Sequence, residues 1–120
     1  MKKSLFIFII LSWSFLFSQN IGFIHPLDFK NTESERQKVI EYIKNNVKET
    51  YAAIGMDDPS TLRMMEKEEL RCFKELTKVK NRQLLDRVIK TYCDIGMCDY
   101  STILMMYKEE NKALSEELEW

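Results

Sequence analysis

Four segments of the chain repeat apolar residues at steps of three and four, the spacing that places side chains on one face of an α-helix. The pattern predicts helices over residues 31–54, 59 to about 77, about 82 to 95, and 100 to about 118. Scarce glycine and proline argue against a sheet. The predicted core-facing residues are Val39, Ile40, Ile43, Val47, Tyr51, Ile54, Leu62, Met65, Phe73, Leu76, Leu84, Leu85, Val88, Ile89, Tyr92, Ile103, Met106, Leu114 and Leu118.

The sequence also repeats itself with a period of 41 residues. TYAAIGMDDPSTLRMMEKEE (residues 50–69) and TYCDIGMCDYSTILMMYKEE (residues 91–110) are identical at 13 of 20 positions. Two copies are fewer than the roughly three that a helical array needs. We therefore predict an all-α fold in which two related helical hairpins, residues 32–77 and 81–118, pack into one small domain. The apolar arm before them, residues 19–31, should lie across the bundle.

Local rules explain most of the repeated stretch. Gly55 and Gly96 stand where a helix should end, and glycine accepts the left-handed conformation that satisfies the last carbonyl groups. Asp58 and Asp99 are expected to cap the following helix by accepting hydrogen bonds from its first N–H groups. The same conformation at Gly55 brings Met56 beside Tyr51, and the conformation at Gly96 brings the equivalent methionine and tyrosine of the second joint together.

The N-terminus has the layout of a secretory signal peptide over residues 1–18: Lys2 and Lys3, then a short apolar run, then the small residue Ser18. The alternative is a membrane anchor, but the run is shorter than the roughly 20 apolar residues that span a bilayer. Residues 19–120 would then form the mature domain, periplasmic or secreted. Contact with a membrane is expected only through the signal segment, if that segment is not cleaved.

The chain has three cysteines, and export would place them in an oxidising compartment. Cys93 and Cys98 lie five residues apart across the second joint, and we predict a disulfide between them. Cys72 is left over and aligns with Ala113 in the repeat, which indicates a small buried apolar site. Thiol labelling before reduction should modify Cys72 and spare the other two.

Two sets of repeated residues have no capping role. One is the pair of methionines Met64 and Met105, each followed by a second methionine on the apolar stripe. They are expected to fill the core, to form a binding surface, or to bind Cu(I) as thioether ligands. The other set is the two Lys-Glu-Glu triplets. Their acids could form a docking surface for a basic partner, and the predicted binding residues are Glu68, Glu69, Glu109, Glu110, Met64 and Met105.

The composition and motifs exclude several functions. Without Lys2 and Lys3 the net charge is about −3 and no dense basic patch is present, so nucleic acid is a poor partner. The single histidine, His25, belongs to no catalytic set, and DDPST lacks the ligand spacing of a calcium loop. No glycine-rich phosphate loop occurs. We expect no enzymatic activity, no cofactor and no bound metal.

The sequence favours an exported protein-binding module with an unidentified protein partner, either an inhibitor or immunity-type protein or an envelope adaptor. The alternative is a periplasmic carrier of a small molecule or Cu(I) that uses the repeated methionines.

Overall fold

A computed structural model describes residues 22–120, so the predicted signal peptide lies outside the described residues. The described chain is all-helical, which confirms the predicted fold class of four helices in a small domain, and no strand occurs between residues 22 and 120. A short 3-10 helix, Pro26–Asp28, precedes the four α-helices. These are α1 (Glu33–Ala52), α2 (Pro59–Leu76), α3 (Arg82–Cys93) and α4 (Tyr100–Ala113).

Each α-helix begins at a side chain that accepts a hydrogen bond from the N–H three residues later, as a cap does. Asp58 and Asp99 have this role for α2 and α4, as predicted. In each case the hydroxyl of the serine two residues on also donates to the cap at 2.8 Å. These hydrogen bonds, from Ser60 first and then from Thr61, lower the pKa of Asp58 to about 2. Thr32 and Asn81 cap the other two helices.

The two repeated joints share one backbone geometry. Gly55 and Gly96 have φ of +74° and +83°, in the region that glycine adopts without strain. The N–H of Met56 donates to the carbonyl of Tyr51 at 2.8 Å, and the equivalent bond in the second joint is also 2.8 Å. This is the helix-ending motif that the glycines predict. The methionine side chains themselves are about half exposed.

The hairpin α1–α2 packs on the hairpin α3–α4 through α2 and α4, the central pair. Glu69 contacts the start of α4 at Tyr100, and Glu75 contacts Lys108 further along. These two helices therefore run in the same direction, side by side. The buried apolar core consists of Val39, Tyr42, Ile43, Val47, Cys72, Phe73, Leu76, Leu84, Leu85, Val88, Cys93, Cys98, Tyr100, Ile103, Leu104 and Tyr107.

At the ends of the predicted apolar stripes, several residues that were expected to face the core are exposed. Ile54, Leu114 and Leu118 are exposed, and Ile40 is only partly covered. The fourth helix ends at Ala113 instead of near residue 118, and its last turns, residues 108–113, are exposed, so no apolar packing supports a longer helix. The first and third helices each end two residues before the predicted position, ahead of the glycine turn.

The N-terminal arm lies across the bundle and joins both hairpins. The ring of Phe23 stacks on Tyr100 with centroids 5.2 Å apart, and Phe29 meets Phe73 edge-on at 5.1 Å. The Tyr100 hydroxyl donates to the carbonyl of Ile24 and accepts from its N–H, at 2.9 and 3.2 Å. Among the described arm residues, Phe23, Ile24, Leu27 and Phe29 are thus partly buried against the helices.

His25 fastens the same arm to α3. Its Nδ1 accepts the N–H of Leu27 at 3.1 Å, which caps the 3-10 helix, and its Nε2 lies 2.6 Å from Oδ1 of Asp86. Arg82 adds a two-pronged contact to Asp28 at 2.7 and 3.0 Å. The single histidine therefore has a positioning role in the fold.

Candidate functional site

Glu69 is the one charged side chain that is buried in residues 22–120, with 6% of its surface exposed. Its two carboxylate oxygens accept the N–H groups of Tyr100 and Ser101 at 2.7 and 3.1 Å, the first two residues of α4. Burial raises the pKa of this carboxyl, and the nearby charge of Asp99 acts in the same direction. The prediction that Glu69 belongs to an exposed acidic edge is wrong, because α2 uses it to complete the start of α4.

The other predicted acids do not form matching edges either. Glu68 is half exposed and accepts two hydrogen bonds from Arg71, at 2.7 and 3.0 Å, which lower its pKa and neutralise its charge. Glu109 and Glu110 are exposed near the end of α4 and form no ion pair among residues 22–120. The two Lys-Glu-Glu triplets therefore have different surroundings despite their identical sequence.

The two predicted binding methionines lie on different helices, and both are exposed, Met64 at 62% and Met105 at 57%. Met65 and Met106 pack against the core, as their place on the apolar stripes predicts. Met64 lines a broad surface depression with the side chains around it on α2, and Met105 is not part of that lining. Between residues 22 and 120, no three His, Cys, Asp or Glu side chains are grouped to hold a metal ion.

The predicted disulfide between Cys93 and Cys98 is present and closes the second joint. Both cysteines are buried. Cys72 is free and also buried, with 2% exposed, as the alignment with Ala113 indicated. Burial raises the pKa of its thiol to about 11. Because the thiolate is the reactive form, the thiol should be inert in the folded protein.

Thiol labelling should therefore proceed in three stages. The folded chain should take up no label, because Cys72 is covered. The unfolded, unreduced chain should take up one label, and the unfolded, reduced chain three. Intact-mass measurement after alkylation counts the labels, and Cys72→Ala is the control that should lose the first of them. Fast labelling of the folded chain would contradict this placement of Cys72.

A cleft of about 250 Å³ opens where the two hairpins meet. Its lining is mostly polar and includes Asn46, Thr50, Asp99 and Thr102 around the carboxylate of Glu69. Both Glu69 oxygens are already bound to the start of α4. This arrangement stabilises the contact between the hairpins.

A second groove, of about 280 Å³, runs between α1 and α2 and is the best candidate for a binding site. Its apolar part consists of Ile40, Ile43 and Leu70, and Lys44 and Lys67 are at its rim. Arg63 and Glu66 also line it and pair with each other.

Neither rim lysine forms an ion pair within residues 22–120. Beyond Lys67, Arg71 and Met64 line the neighbouring depression, where Arg71 is paired with Glu68 and Glu75. We call the surface formed by Ile40, Ile43, Leu70, Lys44, Arg63, Glu66 and Lys67 the α1–α2 groove.

Sequence patterns did not predict the α1–α2 groove. The available signal was the position of Ile40 and Leu70 at the margins of their stripes, each close to a basic residue. Lys44 follows Ile40 by one helical turn, and Lys67 precedes Leu70 by slightly less than one. Apolar residues at the edge of a helix stripe are covered by the neighbouring helix in some pairs and exposed in others. The outcome here depends on how α1 packs on α2, which the sequence pattern does not contain.

Comparison of the chain with profiles of protein families, with curated proteins and with solved structures gives no match. Among the helices of residues 22–120, none combines the length and the apolar character that crossing a bilayer requires. The disulfide fits a protein that resides in an oxidising compartment. A function for this chain must therefore be argued from its own surface.

Proposed function

We propose that this chain is an exported, non-catalytic protein-binding module that holds an acidic, apolar segment of a partner in the α1–α2 groove. The observation that carries the proposal is the combination of a partly open apolar floor with two unpaired lysines, Lys44 and Lys67. The two lysines would select acidic residues of the partner, and the apolar floor of the α1–α2 groove would bind the partner's apolar side chains.

We propose a partner of the opposite charge from the one that the acidic triplets suggested. An acidic edge would have attracted a basic partner, but Glu69 is buried and Glu68 is paired with Arg71. The two arginines on this face of α2 are paired with acids of the same helix, so the unbalanced positive charge of the α1–α2 groove is that of Lys44 and Lys67. An acidic segment therefore suits this groove better than a basic one.

The size of the α1–α2 groove fits a short peptide segment. Covering one large apolar side chain contributes about 1.5–3 kcal/mol, so two such side chains give a useful share of a moderate affinity. The charges at the rim contribute mainly to the rate of encounter and to selectivity. Both an inhibitor or immunity-type protein and an envelope adaptor could bind a partner in this manner. Export is supported by the leader-like N-terminus and by the disulfide.

A labelled synthetic peptide, Glu-Leu-Glu-Trp-Glu-Leu-Glu, tests the proposal directly. We expect it to bind the purified chain in fluorescence anisotropy, more weakly as salt is raised. The double variant Lys44→Glu/Lys67→Glu should bind it about tenfold more weakly or worse, a change of about 1.4 kcal/mol. Both lysines are exposed and form no ion pair in the described chain, so circular dichroism should show unchanged helicity.

The matched control is Arg87→Glu/Lys90→Glu, which reverses two exposed charges on α3 and should leave peptide binding unchanged. Reversal of Glu68 and Glu109 should also have little effect, since these acids do not line the α1–α2 groove. Equal binding of the lysine version of the peptide, or unchanged affinity in Lys44→Glu/Lys67→Glu, would show that the α1–α2 groove does not select acidic segments.

A further inference from the structure

Residues 114–120 form an acidic, apolar segment whose only side-chain contacts within the described chain, from Ser115 and Glu116, are to Lys112 in the last turn of α4. They follow α4 and are exposed throughout, and Leu118 and Trp120 are fully exposed. Glu117 and Glu119 alternate with these two apolar residues. In an extended chain, successive side chains point to opposite sides. The apolar pair therefore occupies one side of the segment and the acidic pair the other.

This alternation matches the α1–α2 groove in chemistry. Leu118 and Trp120 can cover the apolar floor, while the two glutamates meet the unpaired lysines at the rim. From these features we infer that the α1–α2 groove takes residues 114–120 of a second copy of this chain. The inference rests on the proposed function and names its partner.

The segment is poorly placed to fill the groove of its own chain. Glu75 of α2 is bound to Lys108 of α4 at 2.7 Å, and the two helices run in the same direction. Measured along the shared helix direction from the level of the Glu75–Lys108 pair, Lys67 lies about 12 Å toward the start of α2, and Ala113 lies about 7 Å toward the end of α4. Lys67 and Ala113 are therefore separated by about 19 Å along the axis. The chain would also need additional length to reverse its direction after Ala113.

The segment of the same chain reaches that level only at its far end. Leu118 stands five residues after Ala113, and five extended residues span at most about 17 Å. At full extension the backbone of Leu118 falls short of Lys67 of the same chain, and only Trp120, with a span of about 23–25 Å, reaches that level. The segment can therefore bring one of its two apolar residues to that level, and not both. A second copy has no such limit, since its segment can approach the groove from any direction. Each copy offers one segment and one groove, so pairs or short chains of copies can form.

Light scattering during size-exclusion chromatography, over a wide range of concentrations, tests the inference. The purified chain should move from monomer to larger species as concentration rises, and added salt should oppose the change. Both Leu118→Ser/Trp120→Ser and Glu117→Lys/Glu119→Lys should remain monomeric. Glu109→Lys/Glu110→Lys reverses exposed acids outside the segment and should associate as the unaltered chain does.

A charge exchange provides the most specific readout. The groove variant Lys44→Glu/Lys67→Glu and the segment variant Glu117→Lys/Glu119→Lys should each stay monomeric alone. Mixed together they should associate, because each segment then meets a groove of opposite charge. Failure of the mixture to associate would overturn the inference, as would association of the unaltered chain that persists in both segment variants.

The two proposals fail in different ways. If the unaltered chain is monomeric at every concentration but binds the synthetic acidic peptide, the α1–α2 groove is a binding site whose partner is another protein, and the present inference is wrong. If the chain neither associates nor binds the peptide, both proposals are wrong. The variant Leu118→Ser/Trp120→Ser should still bind the peptide, because its groove is intact.

Discussion

Replacing Tyr100 by alanine is expected to lower the free energy of unfolding by about 3–5 kcal/mol, the usual cost of removing a buried aromatic ring. Tyr100 is fully buried, and its ring contacts three others, from Phe23, Tyr42 and Phe73, with centroids 4.9–5.7 Å away. The free energy of unfolding of a native domain is about 5–15 kcal/mol, so this substitution removes a large share of the stability. Urea unfolding followed by circular dichroism measures the change.

Tyr100→Phe separates the hydroxyl from the ring. It keeps the packing but removes both hydrogen bonds to Ile24, and we expect a smaller loss of about 1–3 kcal/mol. The arm should also become looser, so trypsin should cut faster after Lys30. If Tyr100→Phe matches the unaltered chain in both stability and cleavage, the hydroxyl does not hold the arm.

Replacing Glu69 by alanine should cost about 1–3 kcal/mol, because two N–H groups at the start of α4 would lose their acceptor inside the protein. The repeat supplies a matched control. Glu110 occupies the same position in the second copy and is exposed, so Glu110→Ala should change stability by less than about 0.5 kcal/mol. Equal effects of the two substitutions would contradict the assigned role of Glu69.

The pH dependence of stability gives a second readout for Glu69. Because burial raises its pKa, the folded protein keeps this proton at pH values where the unfolded chain has released it. Between those two pKa values, the unfolding free energy contributed by this group falls as pH rises. The stability difference between the unaltered chain and Glu69→Ala should therefore be largest in acid and should narrow above the ordinary carboxyl range. A difference that widens with pH would contradict the raised pKa.

The sequence predicted those parts of the fold that depend on local chemistry. A glycine that ends a helix and an aspartate that begins one need only their near neighbours, and Gly55, Asp58 and their copies behaved as expected. The disulfide was predictable for the same reason, since its cysteines lie five residues apart.

The predicted core was least accurate for tyrosines. The stripes left out Tyr42, Tyr100 and Tyr107, which are buried. Each buried hydroxyl has a backbone partner: Tyr42 donates to the carbonyl of Cys98 at 2.6 Å, and Tyr107 accepts the N–H of Asn81 at 3.1 Å. A tyrosine can be buried only where such a partner exists, and distant segments supply it. Periodicity along one helix does not contain that information.

The role of Glu69 could not be read from the repeat, because the two triplets are identical and only their neighbours differ. One difference between the two copies of the repeat did indicate the role of Glu69. Pro59 opens α2 and has no N–H, whereas Tyr100 opens α4 and has an N–H that needs an acceptor. The α1–α2 groove was not predicted because it depends on how closely α1 approaches α2.

The support that α2 gives to α4 has a consequence for folding. The first hairpin contains all the groups that start its helices, but the second hairpin depends on Glu69 and on the hydroxyl of Tyr42 for the joint before α4. The second hairpin is therefore incomplete by itself, and the domain should fold and unfold as one cooperative unit. During synthesis from the N-terminus, the first hairpin emerges earlier and can serve as the template on which α4 forms.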